Sequence, residues 1–300
     1  MSGRTETGRV MRHRMDDTLL MLARQLAKVA LQEDIGPGDV TGQALLSATA
    51  PATASIKFKQ DGVLAGIQWA QLVLNELDPK AGVELLAQDG DRIREGTVVA
   101  RARSNQQALV AAERTILNLM QRLCGIATLT ARMAELCTGT RAMVLDTRKT
   151  TPGLRAFEKY AVRCGGGVNH RMGLYDEAMI KDNHLYISGL DLREAVARIR
   201  RHKPEIYLTA EAESVEQARQ AMEAGANVVM LDDFSMEEIR QAVEMRNQEK
   251  RFARVQLEIS GGVNLSNIEQ YAQTGVERIS IGALTHSAAA LDISMKVDRP

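Results

Sequence analysis

Basic residues that could bind an anion are concentrated in one stretch of the chain, Leu145–His184. The interval from Arg141 to His184 holds eight Lys or Arg and two His against five Asp or Glu, whereas the whole chain has 38 basic and 38 acidic residues. Thr151–Gly153 and the glycines Gly165–Gly167 interrupt this stretch. Such residues favour loops in which backbone N–H groups can approach a ligand. We therefore predict a site for a small ligand with several negative charges.

Arg148 and Lys149 are adjacent at the end of a predicted strand, so their side chains point in different directions and can contact two parts of one ligand. Arg suits a planar carboxylate through its bidentate fork, while Lys acts as a point charge for phosphate. A surface ion pair of Arg148 with Asp146 or Glu158 is the simpler alternative. The basic residues further along the stretch favour ligand binding.

Those further residues are His170, Arg171 and Lys181. His170 follows the glycine triplet and Asn169 in a loop-like segment, which disfavours a place in the core. Lys181 ends a predicted strand and could bind an anion. It could also form a Schiff base, as in an aldolase, because nearby Arg residues would lower its pKa.

The second half of the chain alternates strands and helices, a pattern typical of parallel βαβ units. The predicted strands are Met143–Asp146, Ala178–Lys181, Ile206–Ala210, Asn227–Leu231, Gln256–Ser260 and Arg278–Ile281. Predicted helices between them include Leu192–His202, Val215–Ala224, Met236–Asn247 and Leu265–Thr274. Six units are fewer than the eight of a closed barrel. We predict an open, incomplete α/β barrel, with a doubly wound sheet as the alternative.

Polar residues and glycines stand where these strands end, which is where α/β barrels build their active sites. Glu211 and Asp232 could bind sugar hydroxyls or a hydrated Mg²⁺, which prefers oxygen ligands, or could merely cap helices. The loops Ser260–Gly262 and Gly282–Ala283 follow the last two strands, where barrels frequently bind phosphate. Either loop could equally be a tight turn.

The first part of the chain mixes strands and helices without regular alternation, which predicts a compact α+β domain. Its expected helices run from Asp16 to a stop at Gly36–Gly38, over Ile67–Leu77, and over Gln106–Leu136 with a break at Gly125; its expected strands are Ala54–Gln60, Val83–Ala87 and Val98–Ala102, and EDIGPGDVT is expected to be a loop. Arg114 lies off the apolar stripe of the long helical region. That position suits either an ordinary surface residue or a ligand-binding one.

Composition excludes several classes of protein. A net charge of zero and 3% aromatic residues argue against a nucleic-acid binder, and no apolar stretch predicts a signal peptide or a membrane span. The three cysteines lack the spacing of a zinc site and are interpreted as packed thiols in a reducing compartment. We therefore expect a cytoplasmic protein without nucleic-acid or membrane partners, in which residues 1–15 are disordered.

With these residues assembled, the sequence closely resembles the quinolinate phosphoribosyltransferase family. The resemblance spans nearly the whole chain beyond the first dozen residues, and no single motif carries it. Its motifs are ALQEDIGPGDVT at Ala30–Thr41, ERTILN at Glu113–Asn118, LDTRKTTPGLR at Leu145–Arg155, EKYAVRCGGGVNHRMGL at Glu158–Leu174, IKDNH at Ile180–His184, MLDDF at Met230–Phe234, SGGV at Ser260–Val263 and SIGALTHS at Ser280–Ser287.

The resemblance implies an α/β fold of the type II phosphoribosyltransferase kind. An N-terminal α+β domain, 16–127, would be completed by the C-terminal tail, 288–300, and an open α/β barrel of about seven strands would occupy 128–287. The implied reaction joins quinolinate to 5-phosphoribosyl-1-pyrophosphate with Mg²⁺, giving nicotinate mononucleotide, pyrophosphate and CO₂ for NAD biosynthesis. A homodimer, or a larger even-numbered oligomer, would share its active sites between subunits.

The family's functional residues carry over by motif. Arg148, His170, Arg171 and Lys181 would face the dicarboxylate, along with Arg114 of the partner subunit. The phosphoribosyl group and the metal would be bound by Lys149, Glu211, Asp232, Ser260, Gly261 and Gly282, and the substrate-binding set also includes Thr147, Gly262 and Ala283. Lys149, Lys181, Glu211 and Asp232 would be catalytic, with Glu211 and Asp232 contacting Mg²⁺ directly or through water.

One position departs from the family pattern: Thr209 stands where relatives often have another acidic residue. Two alternatives also remain. A phosphoribosyltransferase-like protein associated with molybdenum transport shares parts of these motifs. A non-catalytic protein that binds a phosphorylated metabolite is the alternative from a different class. Binding alone, however, would not require acidic residues that hold a metal ion beside cations that bind a dicarboxylate.

Overall fold

The structure, a computed structural model, describes residues 13–298. These residues form two compact units. The first comprises the described residues as far as Thr128, together with 163–165 and the segment from Ala289 onward; the second comprises 129–162 and 166–288. Most of the tail expected to be disordered lies outside the described residues. Within the described residues, Met15 is buried and precedes a capped helix.

The elements of the first half of the chain are helices and short antiparallel strands. They are α1 (Asp17–Ile35), α2 (Val40–Leu45), β1 (Pro51–Phe58), β2 (Gly62–Val63), α3 (Gln68–Leu77), β3 (Gly82–Leu85), β4 (Arg92–Ile93), β5 (Val98–Asn105) and α4 (Gln106–Leu136). The start of α2 corrects the expectation that EDIGPGDVT is a loop throughout. Asp39 caps this helix by accepting a hydrogen bond from the amide of Gly42 at 2.9 Å.

The second half of the chain alternates strands and helices. Its elements are β6 (Met143–Leu145), α5 (Arg155–Cys164), β7 (Ala178–Ile180), α6 (Asp182–Ser188), α7 (Leu192–His202), β8 (Leu208–Ala212), α8 (Val215–Ala224), β9 (Val228–Asp232), α9 (Met236–Gln248), a 3₁₀ turn (Lys250–Phe252), β10 (Gln256–Ser260), α10 (Ile268–Ala272), β11 (Arg278–Ser280), α11 (Ala283–His286) and β12 (Ile293–Val297). Each expected strand and helix in this half is present, mostly within two residues of its expected bounds.

In the first unit, a four-stranded antiparallel sheet has the order β12, β1, β5, β3. Strand β1 buries Ala54, Ile56 and Phe58 completely, while the residues between them are partly or fully exposed. This alternation is what a sheet with one covered face requires. The last strand of the chain, β12, therefore belongs to the sheet of the N-terminal unit.

Helix α4 is continuous, so the expected break at Gly125 is wrong. A Cβ at this glycine would lie 2.0 Å from the carbonyl oxygen of Ala289. The glycine therefore permits close approach of another backbone and does not interrupt the helix. Arg114 is exposed on this helix, as its place off the apolar stripe predicts, while its neighbours Thr115 and Ile116 are buried.

In the second unit, six parallel strands form one sheet in the order β6, β11, β10, β9, β8, β7. The first strand of the unit pairs with the last, and the others follow in sequence order. This wrapping order is that of a barrel and excludes the doubly wound alternative, in which the order reverses at a switch point. Strands β6 and β7 are the two edges, so the barrel is open.

A seventh strand is reduced to a single residue. Val168 forms one isolated parallel bridge to Leu145, on the side of β6 that faces away from β11. The chain passes through this point between α5 and β7 and continues directly into His170 and Arg171. Within residues 13–298 no helix combines the length and the apolar character that a membrane span requires.

Candidate active site

A cavity of about 530 Å³ is present in the second unit, within the size range of small-molecule sites. Its walls come from the ends of the parallel strands and the loops that follow them. The residues lining it are Thr147, Arg148, Lys149, His170, Arg171, Met179, Lys181, Met230, Asp232, Ser260, Gly261, Gly262, Val263, Ser280, Ile281, Gly282, Ala283 and His286. Cations therefore line one part of the cavity, and glycine loops line another.

The loop that carries Arg148 is tied to the loop after Arg171 by a single side chain, Arg155. Its guanidinium donates to the hydroxyl of Thr150 at 3.0 Å and to the carbonyl oxygens of Arg148 at 3.3 Å and Met172 at 3.1 Å. Arg148 itself is exposed and forms no ion pair with Asp146 or Glu158 in this part of the structure. The surface-ion-pair interpretation of Arg148 is therefore wrong.

Asp146 is instead paired with Lys159 in the core, where both side chains are fully buried. Asp146 also accepts hydrogen bonds from the side chain of Asn169 at 2.5 Å and from the amide of His170 at 2.9 Å. Lys159 donates to the carbonyl of His170 at 2.9 Å. Burial raises the pKa of Asp146 and lowers that of Lys159, and each partner opposes the other's shift. This pair fixes the backbone of the His170 loop.

Both ring nitrogens of His170 face protein groups. Nδ1 accepts a hydrogen bond from the amide of Arg171 at 2.7 Å, and Nε2 lies 3.1 Å from Oε1 of Glu258. The Arg171 guanidinium donates to the carbonyl of Glu177 at 3.1 Å. Burial and the nearby Arg148 lower the pKa of Arg171, although an Arg side chain keeps its charge in proteins. Arg171 is thus a buried cation in the cavity wall.

Lys181, immediately after β7, forms an ion pair with Glu211 on the neighbouring strand β8. The Glu211 carboxylate therefore holds the Lys181 side chain at the cavity wall. Glu211 does not line the cavity itself but pairs with Lys181, which does. Asp232, the last residue of β9, lines the cavity directly.

Two loops at the ends of β10 and β11 supply backbone N–H groups. Among the described residues, the amides of Gly261, Gly262 and Gly282 donate to no protein acceptor. Gly261 has φ +97°, and a Cβ there would lie 1.9 Å from Oδ1 of Asp233. Only glycine fits that position. Unpaired amides at the ends of the last two strands are suited to an anion such as phosphate.

The cavity brings together twelve of the fourteen residues predicted for the site. The two exceptions are Glu211 and Arg114. Glu211 forms an ion pair with Lys181, which lines the cavity, and Arg114 belongs to the first unit. Thr209, at the position that departs from the family pattern, is buried and donates to a Glu177 oxygen at 2.5 Å.

Sequence reasoning missed the side chains that support this set. Arg155 and Lys159 lie on a helix it did not predict, and Glu258 lies in a predicted strand whose burial the sequence does not reveal. His286 also lines the cavity; the SIGALTHS motif contained the only sequence signal for it.

Comparison with known proteins places the chain among enzymes of one family. Residues 39–124 match the model of the quinolinate phosphoribosyl transferase N-terminal domain, and residues 126–296 match that of its C-terminal domain. The chain belongs to the quinolinate phosphoribosyltransferase family. The two matches together cover most of the chain, and the second includes every residue that lines the cavity.

Individual members of the family are similar over nearly their full length. The nicotinate-nucleotide pyrophosphorylase (carboxylating) of Mycobacterium leprae is 41% identical, with 91% of this chain and 96% of the relative covered. A mitochondrial quinolinate phosphoribosyltransferase (decarboxylating) of Nicotiana tabacum is 39% identical, covering 92% and 82%. The solved nicotinate-nucleotide pyrophosphorylase of Francisella tularensis superposes with a TM-score of 0.87 at 34% identity, covering 98% and 100%. The open barrel and the antiparallel unit are thus the fold of the family.

Proposed function

We propose that this protein transfers the phosphoribosyl group of 5-phosphoribosyl-1-pyrophosphate to quinolinate with loss of CO₂. The products are nicotinate mononucleotide, pyrophosphate and CO₂, a step of NAD biosynthesis. The observation that carries the proposal is that a set of cations and a pair of loops with unpaired amides line the same cavity. These features suit a dicarboxylate and a phosphate group, which are the charged parts of the two substrates. Family membership and the names of the relatives support the same reaction.

Quinolinate would bind among Arg148, His170, Arg171 and Lys181. Two carboxylates require at least two cations nearby, and the guanidinium groups offer the bidentate geometry that a carboxylate matches. Arg171 is buried, so its charge is poorly screened by water and its attraction for a carboxylate is strong. The Lys181 ammonium, ion-paired with Glu211, would sit beside the ring.

The phosphoribosyl group would lie toward the other part of the cavity. Gly261, Gly262 and Gly282 have amides available for phosphate oxygens, beside Ser260 and Ala283. A Cβ at Gly282 would lie 2.9 Å from Cδ of Lys149, so this lysine packs against the second glycine loop. Lys149 therefore stands where a point charge would reach phosphate. Thr147 lines the same wall and accepts the Lys149 amide through its hydroxyl at 3.0 Å.

The chemistry requires placement and charge stabilisation more than a protein nucleophile. The pyridine nitrogen forms a bond to C1 of the ribose as the bond from C1 to the pyrophosphate oxygen breaks, and the leaving oxygen takes the electron pair. The sugar carries positive charge while the old bond at C1 breaks and the new one forms. A nearby carboxylate such as Asp232 stabilises this charge. The bond from C2 of the ring to its carboxylate then breaks, CO₂ leaves, and C2 takes a proton. The adjacent positive ring nitrogen and the surrounding cations stabilise the carbanion.

Mg²⁺ is part of the proposal, and the donor set fits a weakly held ion. Among residues 13–298 no cluster of three or more His, Cys, Asp or Glu could hold a metal by itself. Mg²⁺ commonly uses one or two carboxylates together with substrate phosphates and water. Asp232 would hold it, with Glu211 acting through water because Lys181 occupies one of its oxygens. When bound, the ion would neutralise charge on the leaving pyrophosphate.

The active site would be shared in a homodimer or a larger even-numbered oligomer. Arg114 is exposed on α4, which leaves its guanidinium available to another subunit. In this proposal, Arg114 of the partner subunit adds a further cation around the dicarboxylate. A two-fold dimer would then contain two equivalent sites. A cytoplasmic location belongs to the same proposal; the tobacco relative is described as mitochondrial.

Comparing quinolinate with nicotinate, which lacks the 2-carboxylate, tests the proposed substrate. We expect kcat/KM for nicotinate mononucleotide formation from nicotinate to be at least about 100-fold lower, because a buried cation left without its counter-charge costs roughly 3 kcal/mol. The measurement is chromatographic quantification of the mononucleotide with each acid under identical conditions. Comparable rates with the two acids would contradict the dicarboxylate assignment.

A further inference from the structure

His170, which lines the cavity, forms a buried pair with Glu258, which does not line it. The side chain of His170 is 4% exposed and that of Glu258 is fully buried. His170 Nε2 and Glu258 Oε1 lie 3.1 Å apart, and in the described chain neither atom has a well-aligned hydrogen-bond partner. A buried polar atom without a hydrogen-bond partner destabilises the folded state, so we expect these two atoms to share a hydrogen bond.

The other side of the imidazole fixes where its proton lies. Nδ1 accepts the amide N–H of Arg171 at 2.7 Å, so this nitrogen carries no proton. A neutral imidazole has one N–H, which must then be on Nε2, facing Glu258. Nδ1 is thus occupied by the Arg171 amide, while Nε2 faces Glu258.

The surroundings of Glu258 favour its charged form. Its second oxygen, Oε2, accepts a hydrogen bond from Nε of Arg278 at 2.6 Å, on the neighbouring strand β11. Burial opposes ionisation, but the hydrogen bonds from His170 and Arg278 and the charge of Arg278 hold the pKa of Glu258 below its ordinary value. Glu177 also approaches the imidazole, with an oxygen 3.9 Å from Nδ1. The histidine therefore lies between a carboxylate on its Nε2 side and the Arg171 backbone on its Nδ1 side.

We propose that Glu258 is a positioning residue for the cation wall: it holds His170 as the Nε2–H tautomer, and His170 in turn fixes the backbone of Arg171 and so the direction of its guanidinium. In this arrangement His170 supports Arg171, a ligand-binding cation of the same wall. The part that concerns quinolinate rests on the proposed function. The tautomer itself does not, because it follows from protein contacts alone.

The substitution Glu258→Gln should reverse the tautomer with little change in shape. Arg278 donates to the Oε2 position, so the amide of Gln would turn its oxygen toward Arg278 and its NH₂ group toward His170. His170 Nε2 would then face a donor and would have to accept, which moves the ring proton to Nδ1. A protonated Nδ1 cannot accept the Arg171 amide, so the link to Arg171 would be lost.

Nitrogen-15 NMR of the histidine rings tests the tautomer directly. The chain has five His, and loss of one ring's signals in His170→Gln assigns that residue. We expect wild-type His170 to show the Nε2–H pattern and Glu258→Gln to show the Nδ1–H pattern. A wild-type ring in the Nδ1–H form would overturn the proposal, and this result is available even if the variant does not fold. An unchanged Nε2–H pattern in a folded Glu258→Gln protein would overturn it equally.

Glu277→Gln is the matched control. Glu277 precedes Arg278 in the chain and pairs with the buried Arg246 at 2.9 Å, but it does not line the cavity. Its substitution removes the same charge from the same unit, so a general loss of stability should lower Tm in both variants. Only Glu258→Gln should change the His170 spectrum.

Quinolinate binding, followed by calorimetry without the second substrate, tests the consequence for Arg171. We expect Kd for quinolinate to rise about 10-fold or more in Glu258→Gln, the effect of misplacing one charged hydrogen-bonding group, and to remain unchanged in Glu277→Gln. A reversed tautomer with unchanged quinolinate affinity would overturn the link from His170 to Arg171. If the wild-type protein bound no quinolinate, the proposed function would fail, while the NMR result would still decide the role of Glu258.

Discussion

Arg148 and Lys149 are neighbours in sequence, yet the cavity gives them different surroundings. The backbone of Arg148 is held by Arg155, which also reaches the loop after Arg171. Lys149 packs against Gly282, and its carbonyl accepts the hydroxyl of Thr285 at 2.8 Å. One residue is therefore tied to the cation wall and the other to a glycine loop. This difference predicts separate roles toward the two substrates.

Arg148→Lys should impair the use of quinolinate although the charge is kept. An ammonium cannot reproduce the two parallel hydrogen bonds of a guanidinium to a carboxylate. We expect kcat/KM for quinolinate to fall roughly 10-fold or more, equivalent to about 1.4 kcal/mol, in steady-state assays. Arg141→Lys, an exposed Arg outside the cavity, is the control and should keep wild-type kinetics. Unchanged kinetics in Arg148→Lys would remove Arg148 from the site.

Lys149→Ala should raise KM for 5-phosphoribosyl-1-pyrophosphate more than KM for quinolinate. The reason is that a lysine beside the glycine loop supplies a point charge suited to phosphate. Initial rates measured while each substrate is varied in turn separate the two constants. Lys250→Ala, at an exposed lysine that does not line the cavity, should change neither. An equal rise for both substrates would show that the division of roles between Arg148 and Lys149 is wrong.

Residue types at strand ends were sufficient to predict part of the cavity lining, including Lys149, Lys181 and Asp232, because parallel strands bring their carboxyl ends to one rim. The supporting charges could not be predicted in the same way. Lys159 and Glu258 have ordinary positions within a helix and a strand, and nothing in their spacing indicates complete burial. Their roles depend on partners distant in sequence, Asp146 and His170, which only the folded chain brings to them.

At the scale of elements, short polar side chains decide where several helices begin. The expected helix Leu265–Thr274 is shorter because Asn264 and Asn267 donate from their side chains to the carbonyl of Gly262, at 3.1 and 3.0 Å. These bonds hold the residues before α10 in the glycine loop. The hydrophobic pattern extends across them and could not reveal the competition.

Gly261→Ala tests the glycine loop as an element of the site. At φ +97° an Ala is strained by roughly 1–2 kcal/mol, and its Cβ would collide with Asp233. We expect the loop to shift and KM for 5-phosphoribosyl-1-pyrophosphate to rise about 10-fold or more, measured together with Tm. Gly139→Ala has a similar backbone strain, φ +84°, with no atom within 4 Å of the new Cβ. It should lower Tm while leaving KM unchanged; equal effects of the two variants on KM would contradict the role of the loop.

At the scale of the whole molecule, the spacing of strands and helices was enough to predict an open α/β barrel. The wrapping order of the strands also follows from right-handed βαβ connections. The pattern could not show that the seventh strand shrinks to one bridge at Val168, since a single residue has no periodicity. The spacing of strands and helices also does not describe how subunits assemble, so the shared active site remains a proposal.

Complementation between two inactive variants tests the shared site. If Arg114→Ala and Lys149→Ala are each inactive, random exchange of an equal mixture makes about half the dimers mixed, and each mixed dimer has one intact site. Activity should therefore recover to about a quarter of wild type. Differently tagged chains, purified through both tags, verify the exchange. No recovery despite exchange would place Arg114 in its own subunit's site or outside the site.

The central claim is that one cavity joins a pyridine dicarboxylate to a phosphoribosyl group and releases its 2-carboxylate. Quinolinate carrying ¹⁴C in that carboxylate, incubated with the protein, 5-phosphoribosyl-1-pyrophosphate and Mg²⁺, tests it most directly. The account predicts labelled CO₂ and pyrophosphate in equal amounts, both dependent on each substrate and both strongly reduced in Lys149→Ala. Binding of either substrate without release of labelled CO₂ and pyrophosphate would contradict it.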